Sequence, residues 1–206
     1  MQFSYIRKVA LFVFFILGFG MLTGCASNFV RPEQNAITLG KSTSDQVVKA
    51  TKGNPIRQNN ISINNEKINV LTYQYIEGAK FYGMMFPRRS VTFSFFNDVL
   101  IGEEFNSTYD GEKTEFDTKK VTQIQKGQTQ EQVIGILGKP SGKILYPIVP
   151  NKTGFGLVYA YSFARMAPFY SPSFSYLLVV SFDANNVVTS ISYKENGKEQ
   201  IAMSSK

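Results

Sequence analysis

The sequence predicts an α+β fold made of two tandem copies of one unit, in which two short helices precede a three-stranded antiparallel sheet. Two observations predict it. Residues 43–47 and 129–133 both read Thr-x-acid-Gln-Val, and each motif follows a glycine and precedes a short segment that ends in Gly-x-Pro. Segments rich in Phe, Tyr and Val, which favour strands, follow each motif. Such self-similarity at one offset indicates an internal repeat.

Each motif predicts the start of a helix. A threonine suited to the N-cap is followed three residues later by a glutamine, as a capping box requires. The two pairs are Thr43 with Gln46 and Thr129 with Gln132. Gly53 and Gly138 are expected to end the helices as left-handed residues, each before a proline. Upstream, residues 37–39 and 121–124 fit a first short helix or a turn in each copy.

Three strands are expected after each helix. In the first copy they cover residues 68–76, 90–96 and 99–105, and in the second copy residues 157–163, 176–182 and 187–193. A unit of this size is marginal alone, so we expect the two copies to pack together. The predicted organisation is a signal peptide (1–24), a tether (25–36), a first repeat (37–108), a linker (109–118), a second repeat (119–196) and a tail (197–206).

The N-terminal segment predicts the compartment. Arg7 and Lys8 precede an apolar run over residues 9–22, which is short for a membrane span and typical of a secretory signal peptide. The sequence Leu22-Thr23-Gly24-Cys25 resembles a bacterial lipobox. The resemblance implies cleavage before Cys25 and lipidation of its thiol, with the membrane as a partner; the alternative is an ordinary signal peptide with a chance cysteine. Ala and Ser follow at positions 26 and 27, which favours the outer membrane, with the body on its periplasmic face.

Composition excludes several function classes. The chain has one Cys and no His, so an internal disulfide, a Cys/His zinc site and catalysis by imidazole are impossible. Adjacent Glu103 and Glu104 are expected to point to opposite faces of a strand and so cannot form a catalytic pair. The remaining clustered acids lie in the charged linker: Asp110, Glu112, Glu115 and Asp117. We therefore expect no enzyme, no cofactor and no metal. The net charge of +7 is scattered along a periplasmic chain, which argues against nucleic acid.

Two predicted connections are unusually aromatic. Residues 81–89 and 166–174 contain Pro, Gly and Ser, which disfavour strands, together with Phe, Tyr, Met and Arg, which are favoured at interfaces. The alternative is that these loops fold back and close a small core. The predicted partner-binding residues are Phe81, Tyr82, Met84, Met85, Phe86, Arg88, Arg89, Phe169 and Tyr170.

The motifs resemble a known family. GQTQEQVIGILGKP at residues 127–140 and SFDANNVV at 181–188 are similar to the SmpA/OmlA (BamE-like) outer-membrane lipoprotein domain. Residues 37–105 are similar more loosely, because GKSTSDQV has one extra residue after Gly40. The resemblance implies a non-enzymatic binding or scaffold role in envelope or outer-membrane protein assembly, with an envelope protein as partner. Tandem units of this kind also occur in β-lactamase-inhibitory proteins (BLIP-like units), so the alternative is an inhibitor or binding module for a periplasmic enzyme.

Overall fold

One antiparallel sheet organises the chain. The computed structural model describes residues 31–33, 35–76, 87–164, 173–196 and 198–202. Its helices are α1 (Ser44–Thr51), a 3₁₀ helix (Thr118–Gln123) and α2 (Gln130–Leu137). Its strands are β1 (Arg57–Ile63), β2 (Glu66–Ile76), β3 (Arg88–Phe96), β4 (Val99–Ser107), β5 (Gly142–Leu145), β6 (Phe155–Ala164), β7 (Ser173–Phe182), β8 (Val188–Glu195) and β9 (Lys198–Ala202).

The predicted fold class is wrong. Within the described ranges, the strands form a single nine-stranded sheet in sequence order rather than two three-stranded sheets. The six predicted strands are present, but β1, β5 and β9 extend and join them. Each had a weak sequence signal: β1 is almost wholly exposed and mostly polar, β5 has only four residues, and β9 lies in the segment expected to be a tail.

Strand β5 makes the sheet continuous. It pairs with β4 through Gly102–Ile144, Glu103–Lys143 and Glu104–Gly142, and its other edge pairs with β6. A Cβ atom on Gly142 would lie 2.1 Å from the Glu103 carbonyl oxygen. Only a glycine therefore allows β4 to approach this closely, and this approach joins the two predicted repeats.

Both predicted capping boxes are confirmed. The Gln46 and Gln132 backbone amides donate to the threonine hydroxyls at 3.4 Å, and the Thr43 and Thr129 amides donate to the glutamine side chains at 3.0 and 2.8 Å. Gly138 ends α2 with a positive φ of +83°, but its ψ of −162° is not that of a left-handed helical residue, and the left-handed residue after α1 is Lys52 rather than Gly53. The upstream segments expected as a first short helix or a turn are turns in the first copy and the 3₁₀ helix in the second.

Both helices cover the same face of the sheet, which we call the helix face. Its first cluster packs α1 on β2–β4, and its second packs α2 and the 3₁₀ helix on β6–β8. The alternation predicted for β3 is confirmed, since Val91, Phe93 and Phe95 are all buried in the first cluster. The cross-strand neighbours Glu103 and Lys143 lie between the two clusters on this face.

The reverse side of the sheet, which we call the opposite face, has its own smaller core. Ile144 lies between Gly102 and Gly156 on the neighbouring strands, and Val149 packs over it. The Asn64 side-chain amide donates to the Pro147 carbonyl at 3.0 Å, so the β1–β2 hairpin meets the β5–β6 connection. This core closes the end of the face where β5 leads into β6. Toward the far end of β6 and β7, the face carries polar side chains.

Candidate binding surfaces

Most predicted site residues lie outside the described part of the chain. These are the lipidation residue Cys25 and the aromatic and methionine residues of the two loops: Phe81, Tyr82, Met84, Met85, Phe86, Phe169 and Tyr170. The structure does place the two arginines. Arg88 and Arg89 begin β3 rather than belonging to the preceding loop, so the expected loop boundary at residue 89 is wrong. Because they are adjacent in a strand, their side chains leave on opposite faces of the sheet.

Arg88 lies on the opposite face. Its Nη2 donates to the Ser162 hydroxyl at 2.5 Å, and the Asn106 side-chain amide donates to the same oxygen at 2.7 Å. Its backbone amide donates to the Thr108 hydroxyl at 2.9 Å. Ser162 is close to the end of β6, and Arg88 is at the start of β3. The strands on which the two predicted loops begin or end are thus bridged by one guanidinium group.

Arg89 is held on the helix face. Its guanidinium carbon lies 5.1 Å from the Tyr75 ring centroid and 5.4 Å from that of Tyr109. Its Nη1 lies 3.4 Å from a Glu112 carboxylate oxygen, which also accepts a hydrogen bond from the Ser107 hydroxyl at 3.0 Å. These contacts, between two aromatic rings and a carboxylate, fix Arg89 within the fold. The structure therefore does not bring the two predicted arginines together on one contact surface.

A cleft opens on the opposite face beside Arg88. Its volume is about 230 Å³, and its lining includes side chains of that face from four strands: Glu104, Asn106, Ala160, Ser162, Leu177 and Lys194. Burial raises the pKa of the Glu104 carboxyl above its ordinary value. Asn106 is 8% exposed, and its Oδ1 is buried without a hydrogen-bond partner among the described residues. Sequence reasoning placed Glu104 on a strand face but missed this cleft.

A groove runs along the helix face between the two covered clusters. Two clefts of about 230 and 390 Å³ share Arg31 and Lys139 as lining residues. The Arg31 guanidinium carbon lies 4.0 Å above the Phe105 ring, and its Nη2 lies 3.9 Å from a Glu103 carboxylate oxygen. Burial raises the pKa of Glu103, and the charge of Arg31 opposes that shift. Arg31 belongs to the predicted tether (25–36), and its contacts hold this part of the tether in the groove.

The predicted separation of Glu103 and Glu104 is confirmed. Glu103 faces the groove on the helix face, whereas Glu104 faces the cleft on the opposite face. In the described ranges there is no group of three or more Cys, Asp or Glu side chains placed to hold a metal ion. No helix in those same ranges has the length and hydropathy needed to span a membrane.

Comparison with known protein families gives one match. Residues 114–192 match the model of the outer membrane protein assembly factor BamE domain. This stretch is similar to a BamE domain. It contains the 3₁₀ helix, α2, β5–β7 and most of β8, and it amounts to less than half of the chain. The match supports the BamE-like resemblance for the second predicted repeat and leaves the first repeat a prediction.

Two other comparisons add little. A solved structure from Streptococcus mutans, described as a candidate β-lactamase inhibitor protein, is 10% identical to this chain. The alignment covers 81% of this chain and 90% of that one, with a TM-score of 0.38. Similarity at that level supports no conclusion about fold or function. The comparison with curated proteins found no match.

Proposed function

We propose that this chain is a lipid-anchored lipoprotein of the outer membrane that works by binding rather than by catalysis. Its role is that of a scaffold in the assembly of the envelope or of outer-membrane proteins. The match of residues 114–192 to the BamE domain carries the proposal, because that domain is described as an outer membrane protein assembly factor. The matched stretch continues the sheet formed by the preceding strands, because its strand β5 pairs with β4.

The lipobox-like sequence at residues 22–25 supports the anchor. Acyl chains on Cys25 would hold the body at the membrane, because each buried methylene contributes about 0.8 kcal/mol and several chains together give firm attachment. The position of Cys25 directly after an apolar signal segment favours lipidation over a structural role for this single thiol. The body then lies on the periplasmic face, where an envelope protein partner is available.

The bridge between Arg88 and Ser162 supports the two aromatic loops as one contact surface. Strands β2 and β6 run in the same direction, so both loops begin at the same end of the sheet. The Arg88–Ser162 hydrogen bond of 2.5 Å holds the stems of the two loops close together. Both loop sequences contain aromatic and methionine residues, which are adaptable and favoured at interfaces.

Fractionation tests the anchor. Cys25→Ala should abolish the maturation shift on a gel and release the chain from the outer-membrane fraction. Ser27→Ala, two residues away, should leave both unchanged. Unaltered processing and fractionation of Cys25→Ala would show that the chain is not anchored through this residue.

Crosslinking followed by purification of the tagged full-length chain tests the binding role. Recovery of barrel-assembly components is expected, and Phe81→Ser combined with Phe169→Ser should reduce it without lowering the melting temperature. Ile61→Ser is a matched control, since Ile61 is 43% exposed on β1, away from both loops. Recovery of a soluble periplasmic hydrolase instead would favour the inhibitor alternative. A large fall in melting temperature for the double variant would show that the loops close the core.

A further inference from the structure

The opposite-face cleft holds two hydrogen-bond acceptors that the described fold leaves unused. Glu104 makes no ion pair or hydrogen bond with any described residue. Asn106 uses its amide nitrogen on Ser162, while its buried Oδ1 accepts nothing from the described residues. The two residues are separated by one position in β4, so their side chains leave on the same face. A partly buried carboxylate and a buried carbonyl oxygen that lack donors among the described residues are unusual, because each loses hydration without compensation.

The nearby cations do not compensate Glu104. The guanidinium of Arg88 is committed to Ser162. Lys194 comes from β8, where it pairs with Leu177 of β7, and its side chain is exposed. It makes no ion pair with Glu104 among the described residues. The cleft therefore combines a negative charge with an adjacent neutral acceptor, and what would complement both is a cationic group that carries several N–H donors.

We propose that the cleft formed by Glu104, Asn106, Ala160 and Leu177 is the receptor site for an arginine side chain of a protein partner. The planar guanidinium offers several donors in a fixed fork, so it can donate to the Glu104 carboxylate and the Asn106 carbonyl oxygen together. Ala160 and Leu177 supply apolar wall on which the methylene stem of the arginine packs.

The size of the cleft agrees with this occupant. Its volume of about 230 Å³ is smaller than the roughly 300–1,000 Å³ of pockets that enclose drug-sized ligands. It is therefore suited to one inserted side chain. This inference rests on the proposed function only in making the occupant part of a protein. The cleft itself can be tested without the anchor and without the partner.

The test is ligand-observed saturation-transfer NMR with the full-length chain in detergent. The probe is N-acetylarginine methylamide, and the citrulline analogue, which has the same shape without the charge, is the matched ligand. We expect saturable binding of the arginine probe and binding of the citrulline probe that is weaker by about tenfold or more. Equal binding of both probes, or no saturable binding of the arginine probe, overturns the proposal.

Two variants and one control locate the binding. Glu104→Gln should weaken arginine binding by about tenfold or more, because it replaces a charged acceptor with a neutral one. Ser175→Lys, on the exposed rim of the cleft, should also weaken it by supplying a competing internal ammonium group. Glu103→Gln changes the neighbouring residue on the other face and should leave binding unchanged. If Ser175→Lys and Glu104→Gln both bind the probe like the parent chain, the site is not this cleft.

Discussion

At the scale of the residue, the neighbours Glu103 and Glu104 show how one position along a strand changes the surroundings of a carboxylate. Burial raises the pKa of both. Glu103 has the guanidinium of Arg31 at 3.9 Å to oppose the shift, whereas Glu104 has no such partner among the described residues. An uncompensated carboxylate lowers the stability of a fold, and proteins commonly accept that loss where a residue serves binding.

Glu104→Gln should therefore stabilise the chain at neutral pH. The folded-state pKa of Glu104 lies above the unfolded value, so the folded state binds more protons between the two values. The stability of the parent chain then falls as pH rises from about 4.5 through the folded pKa. We expect the substituted chain to exceed the parent by about 1 kcal/mol at pH 7, with no difference below the unfolded pKa.

Urea unfolding at a series of pH values measures this effect. The charged groups on the same face as Glu104 include Arg88, Lys194 and, by the register of β1 to β4, Arg57, and the substitution changes none of them. Glu103→Gln is the control on the helix face. This substitution weakens the contact with Arg31 and so removes a favourable contribution to the free energy of folding. If the Glu104→Gln chain is less stable than its parent at pH 7, Glu104 has a partner that stabilises its charge.

At the scale of the element, the capping boxes are where local sequence decides structure. Thr129→Ala removes the hydroxyl that accepts from the Gln132 amide at 3.4 Å, and it should lower the free energy of unfolding by about 1 kcal/mol. Thr43→Ala should have a similar effect on α1. Thr122→Ala removes an exposed hydroxyl that donates only to the Lys119 carbonyl, so a change within about 0.5 kcal/mol is expected. This would be contradicted if Thr122→Ala lowered the melting temperature as much as Thr43→Ala or Thr129→Ala does.

A substitution at Gly142 tests how closely β5 must approach β4 to join the sheet. Gly142→Ala places a Cβ 2.1 Å from the Glu103 carbonyl oxygen, so β5 must move away from β4. We expect a loss of about 3 kcal/mol or more, as for severe overpacking. Gly135→Ala is the matched control, because a Cβ there has nothing within 4 Å and lies in α2. Alanine at position 135 should stabilise the chain by roughly 0.5–1 kcal/mol, by the same chemical denaturation.

Elements whose signal is local could be predicted from the sequence, and elements defined by their neighbours could not. The helices carry their own caps, and β3 carries its own alternation of buried residues. Strand β1 reads as polar because it lies at an edge and is exposed, and β5 has only four residues whose pairing depends on β4 and β6. The Glu104 cleft has the same origin, since its walls come from strands far apart in sequence.

At the scale of the whole molecule, the sheet couples the two predicted repeats. Every strand pairs with its neighbour in sequence, and β5 pairs with both halves. The two helix-face clusters are separate, so the coupling passes through β4, β5 and β6 rather than through a shared apolar core. A two-domain chain with independent sheets would lack this connection.

This continuity predicts one cooperative unfolding unit. Amide hydrogen exchange of β3 and of β7 should give the same opening free energy, equal to the global value, because neither half loses its sheet without exposing the edge of the other. Amides of the exposed edge strand β1 should open at lower free energy and serve as the internal control. Two well-separated opening free energies for β3 and β7 would show that β5 does not couple the halves.

The fastening of Arg31 limits how the body can stand relative to a bilayer. Six peptide units separate Cys25 from Arg31, and a chain of that length reaches roughly 20 Å at most. For a chain acylated at Cys25, Arg31 and the groove between α1 and α2 that holds it then stay within about 20 Å of the anchored residue. So short a connection, attached at one point of the body, restricts how far the sheet can move from the membrane surface to meet another protein.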